Sequence, residues 1–144
     1  MGSNREAGKF MVNLKYDDAQ RREYLRMLDR VTENWLGVFA DDKEFYSTAY
    51  WDLLSNVWRE EDPVRKTDAL KFMRAIRSAH TAGKYLDVAI ARGFIEETGN
   101  PKDARSKLVR LSPKMRAKLD VFFDAAVTEM GAALKRIGAE RGEA

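Results

Sequence analysis

Lys102, Arg105, Lys107 and Arg110 crowd the short stretch 102–110, beside an Asn100-Pro101 turn. Cations at a loop tip can neutralise phosphates, and an arginine there suits a narrow minor groove, where A·T tracts concentrate negative potential. Asp103 stands two residues before Arg105, close enough to pair across the turn and fix the arginine's direction. A second set lies upstream. Ser78, His80, Thr81, Lys84 and Tyr85 sit in one helical stretch, spaced away from its apolar stripe. Thr81 and Lys84 can donate to base edges or phosphates, and Tyr85 can bond a phosphate or pack on a thymine methyl. His80 reads as a capping or phosphate-contact residue, because nothing near it completes a catalytic set. Plainer readings stand beside these. Lys84 alone is more often a solvated side chain, and a charged hairpin is also what an unpaired strand edge needs.

These side chains need particular elements to present them. Ser78 reads as the cap of a helix running to about Arg92, with Ala82, Leu86, Ala89 and Ile90 facing inward. Gly93 stands where a helix commonly ends in a left-handed residue. Phe94 and Ile95 open a short strand, Thr98-Gly99-Asn100-Pro101 is dense turn chemistry, and 105–111 is the return strand. Ser112-Pro113 then starts a last helix, reaching about Ile137. Its apolar residues Met115, Leu119, Phe122, Ala126, Met130, Ala133 and Ile137 advance by three or four, and Phe123, Val127 and Leu134 widen the stripe.

Upstream, residues 1–16 show no period and are expected to be a flexible arm. A helix is predicted over 17–39, carrying Tyr24, Leu25, Leu28, Val31, Trp35, Leu36 and Phe39. Another is predicted over 44–59, ended by Asp62-Pro63, and Thr67 is expected to cap a short third one. Glu140 to Ala144 reads as a frayed tail. The expected order is four helices, a hairpin and a helix. This is a mainly α chain with a small β-hairpin wing, a winged helix-turn-helix. A DNA-binding lobe is expected over about 44–112 of a single domain spanning 17–144, with dimerisation helices at 17–39 and 113–137.

Composition removes other classes. The 144 residues suit one domain, and 44% hydrophobic content supplies a core. No cysteine is present, so disulfides and thiolate metal sites are excluded, and a single histidine, His80, excludes a multi-histidine metal site. No cofactor and no enzymatic activity are expected, since no phosphate loop or nucleophile motif occurs. No apolar run approaches the ~20 residues of a membrane span, and no signal-peptide pattern opens the chain. Met1-Gly2 lacks the hydroxyl residue of a myristoylation site, because position 6 is Glu6. A cytoplasmic location is the expectation. The net charge of +3 permits nucleic-acid binding without demanding it.

The wing stretch resembles that of MarR-type transcriptional regulators. Their pattern is Asp-Pro-x-Asp-x-Arg, three residues, then Val-x-Leu-Thr. Here Asn100-Pro101-Lys102-Asp103-Ala104-Arg105 is followed at that spacing by Val109-Arg110-Leu111-Ser112. Gly93-Phe94-Ile95-Glu96 is similar to the run that opens their wing. The chain departs at Ala104, where many members carry a second arginine, and at Met115, where they carry glycine.

The resemblance implies a homodimeric DNA-binding regulator, a repressor in the reading favoured here. Arg105 would be its minor-groove arginine and Asp103 the orienting partner. The recognition face would hold Ser78, Thr81, Lys84 and Tyr85, joined on the residue reading by His80, with Lys102 and Lys107 on the wing. The terminal helices would form the dimer interface. The candidates are Leu25, Leu28, Met115, Leu119, Phe122, Phe123, Val127, Met130 and Leu134, the Phe122-Phe123 pair exceeding what one small winged domain is expected to cover. The resemblance also implies a small aromatic ligand, with Trp35, Tyr50, Trp51 and Trp58 as candidate lining. The commoner fate of such an aromatic stripe is ordinary packing. A different class, a winged-helix module that binds protein and reads no DNA, stays open at this point.

Overall fold

The computed structural model describes residues 13–140, so most of the expected arm, the Met1-Gly2 terminus and the tail from 141 lie outside the described residues. The elements run α1 (Asp18–Val38), a 3-10 turn (Lys43–Phe45), α2 (Thr48–Arg59), β1 (Val64–Arg65), α3 (Lys66–Lys71), α4 (Ala79–Ala91), β2 (Ile95–Gly99), β3 (Lys107–Leu111) and α5 (Pro113–Glu140). The architecture is mainly helical with one three-stranded antiparallel sheet, in the order β1-β3-β2. The chain divides into two compact units. One is Thr32–Ala125, and the other comprises the described parts of 1–31 and 126–144.

In the Thr32–Ala125 unit, local chemistry sets the boundaries. The Ser47 side chain accepts from the Tyr50 amide and so starts α2. The helix expected over 44–59 is therefore two elements, a 3-10 turn and then α2, because the Asp42 cap opens the first and Ser47 the second. Thr67 does not cap α3. That helix begins two residues earlier than such a cap implies, at Lys66 with Arg65 in the cap position, and no side chain caps it. Ser112 accepts from the Met115 amide at 3.1 Å and starts α5.

Gly93 ends α4 at φ +75, with nothing within 4 Å of an added Cβ. Gly93→Ala is therefore expected to lower stability by about 1 kcal/mol through backbone strain alone, without a steric term. Urea unfolding of the variant checks this.

The unit's core is aromatic. Phe45 lies 5.0 Å from Phe39, 4.8 Å from Tyr50 and 5.0 Å from Phe94, ring centre to ring centre. The Trp35 indole NH donates to the Phe45 carbonyl at 3.0 Å. Burial pushes the Tyr50 phenol up to about 12, with the nearby Glu44 carboxylate adding to the effect. Its folded value lies above the ordinary unfolded value near 10, so the stability is complete below pH 10 and is lost as pH rises toward 12. The expected loss is up to about 1.4 kcal/mol per pH unit across that window. Tyr50→Phe should remove it, as urea unfolding between pH 9 and 12 would show.

The other unit pairs parts of α1 and α5. Gln20 is buried and donates to the Ile137 carbonyl at 3.1 Å. Glu23 is buried among Arg26, Arg30 and Arg136, and Arg136 chiefly holds its carboxyl below the usual carboxylate range. Leu25, Leu28, Val127, Met130 and Leu134 remain exposed there.

Candidate nucleic-acid interface

The helix that carries the expected recognition residues is α4. Of its expected inward stripe, Ala82, Leu86 and Ala89 are buried and Ile90 is half-buried. Ser78 accepts from the Thr81 amide at 3.3 Å, so its hydroxyl oxygen is committed as the cap of α4. Ser78, His80, Thr81 and Lys84 are all exposed. Tyr85 is not a free contact residue: it is half-buried and packs edge-on against Tyr50 at 5.2 Å. It directly follows exposed Lys84 but turns toward the core, where its ring helps to seat α4 against α2. At the far end Arg92 reaches Asp42 at 3.3 Å and lies over the Phe45 ring at 4.8 Å, fixing the C-terminus of α4.

The wing is β2, β3 and the loop 100–106. Glu96 pairs with Arg110 in the register and by an ion pair of 3.2 Å, so Arg110 is neutralised within the hairpin. The edge strand β1, Val64 against Val109, is an element that the sequence reading did not include. The loop is held by its own polar groups. The Asn100 side chain donates to the Ser106 hydroxyl at 2.9 Å and accepts from the Lys102 amide at 3.0 Å. Asp103 accepts from the Arg105 backbone amide at 3.0 Å and makes no ion pair with its guanidinium. The expected side-chain pair is thus replaced by a turn in which Asp103 shapes the backbone. Lys102, Arg105 and Lys107 are exposed, and no ion pair engages them among the described residues.

Arg77, just ahead of the α4 cap, is a further exposed cation beside this face. Only its nearness to Ser78 could have marked it. Among the described residues no His, Asp and Glu cluster is fit for a metal.

The candidate dimer and ligand residues divide. Met115, Leu119 and Phe122 fill the chain's own core at 2%, 0% and 3% exposure and have no area to offer a partner. Phe122 meets Trp35 at 5.3 Å and is covered within the chain, whereas Phe123 packs on Trp58 at 4.7 Å and stays half-buried. Helical spacing identifies a shared face but not what covers it. Trp35 and Tyr50 are likewise closed in by rings, and Trp58 donates to Asp120 at 2.8 Å under the Arg116 guanidinium. Trp51, which is exposed, meets Trp35 at 5.1 Å and Phe123 at 6.2 Å, ring centre to ring centre. An apolar recess of about 480 Å³ lies elsewhere in this unit, lined by Gly37, Val38, Ala117, Val121 and Phe122 among others.

No helix among the described residues is long and apolar enough to cross a membrane. No protein-family model matches the chain, and no curated protein matches it significantly. Solved structures do match. A transcriptional regulator from Thermotoga maritima superposes with a TM-score of 0.57 at 16% identity, over 88% of this chain and 85% of that one. The transcriptional repressor CouR bound to a 23-mer DNA duplex gives 0.52 at 21%, over 90% and 91%. A variant of MarR from E. coli complexed with operator DNA gives 0.52 at 17%, over 83% and 80%. At these identities the likeness is one of fold: this chain has the winged-helix fold of the MarR-type regulators.

Proposed function

We propose that this chain is a sequence-specific duplex-DNA-binding transcriptional regulator, acting as a homodimer and repressing by occupying its operator. The carrying observation is the set of exposed, uncommitted cations on α4 and the wing, Lys84, Lys102, Arg105 and Lys107. These two elements are the ones a winged helix lays in a major groove and an adjacent minor groove. The two duplex-bound structures of the same fold support the reading. Exposed Leu25, Leu28, Val127, Met130 and Leu134 support the dimer, since apolar area of that kind is normally covered. A twofold dimer would set two α4 helices on half-sites roughly 34 Å apart. Release by a small aromatic ligand forms no part of the proposal.

The test is selection of bound fragments from random genomic duplex, followed by a salt titration. A recovered palindrome whose affinity falls steeply with salt is the expected result. Absence of retention at low salt would overturn the reading in favour of a protein-binding winged helix.

A further inference from the structure

Lys66 is the first residue of α3, where a cation opposes the helix dipole. Its compensation comes from two other elements. The Lys66 Nζ lies 2.8 Å from Glu97 Oε2 on β2 and 3.7 Å from Asp87 Oδ1 on α4. Its side chain is only one-third exposed, and Glu97 chiefly holds its ammonium above the ordinary lysine range. One side chain thus joins the strand that carries the wing, the helix proposed to enter the major groove, and the start of the helix before it. Arg65, the preceding residue, is hydrogen-bonded into the sheet opposite Leu108, so the backbone that carries Lys66 is fixed as well.

We propose that Lys66 is a positioning residue: it sets the wing against the recognition helix, so that both can engage one duplex in register. This rests on the DNA-binding reading. Two carboxylates within 4 Å of one Nζ leave it poorly placed to serve a phosphate. Its contribution is to geometry, which specific binding needs and non-specific binding does not.

The experiment compares wild type, Lys66→Met, Lys66→Arg, Glu97→Gln and the Lys66→Met/Glu97→Gln double variant. Each is titrated with salt against the duplex recovered by wild-type selection and against a random duplex of equal length. Lys66→Met is expected to lower the specific-to-random affinity ratio about tenfold, within the range of coupled networks. Its salt slope should match wild type. Lys66→Arg should recover most of the ratio.

Glu97→Gln is the most discriminating. It removes a negative charge, so simple electrostatics has it tighten binding to DNA, whereas loss of positioning has it lower the ratio. The double variant should be no worse than the worse single one. A salt slope shallower by about one unit in Lys66→Met would make Lys66 a phosphate contact and overturn the proposal. So would tighter operator binding by Glu97→Gln, or an unchanged ratio in both single variants. Wild type that retains no duplex would instead overturn the DNA-binding reading beneath it.

Discussion

Duplex binding is expected to weaken roughly 30- to 1,000-fold when Lys84 and Arg105 are replaced together by alanine, a loss of about 2–4 kcal/mol. The two residues act differently. Lys84, exposed on α4, would meet phosphate, and its loss should weaken every sequence similarly and reduce the salt slope. Arg105, at the wing tip, would depend on groove width, and its loss should fall mainly on A·T-flanked operators. Neither side chain carries the fold. Both are exposed, so thermal stability should stay within about 0.5 kcal/mol of wild type. Titration of single and double variants against the selected duplex checks this. Binding that survives the double change would place the contact face elsewhere on the molecule.

The second large effect concerns the core beneath α4. Phe45→Ala is expected to cost about 3–5 kcal/mol, the usual range for truncating a fully enclosed aromatic. Phe45 has no exposed surface and meets Phe39, Tyr50 and Phe94, with the Arg92 guanidinium over its face. Three of these partners also hold α4 or the residues that follow it: Tyr50 through Tyr85, Arg92 at the helix end, and Phe94 at the entry to the wing. The loss should therefore loosen α4 and the entry to the wing before the rest. Hydrogen exchange should show faster opening over 79–95, and urea unfolding a reduced midpoint. A loss below about 1 kcal/mol would mean that the aromatic cluster is slack enough to admit a ligand after all.

Both expectations depend on parts of the chain with unequal legibility. The Ser78 cap, the left-handed Gly93, the Asn100-Pro101 turn and the Ser112-Pro113 start are local devices, acting within a few residues. α4 and the wing are readable for that reason. β1 was not, because two residues are too few to show alternation, and pairing with β3 is what makes them a strand. Asp103 and Arg105 were placed together correctly, but spacing does not distinguish a backbone amide acceptor from a guanidinium partner. Periodicity found the apolar face of α5 without deciding its cover. Met115, Leu119 and Phe122 are covered by their own chain, whereas Val127, Met130 and Leu134 are left outside. Lys66 shows the same limit, since its partners lie 21 and 31 residues onward on other elements.

The hydrogen bonds that hold the wing loop come from Asn100, Asp103 and Ser106, not from the side chains at its tip. Lys102, Ala104 and Arg105 can therefore be exchanged with little penalty to the loop that bears them. Shape and surface chemistry are inherited separately there. A lineage could vary those three positions by drift while the hairpin stays intact. A laboratory library restricted to those positions would search binding preference without also searching for foldability.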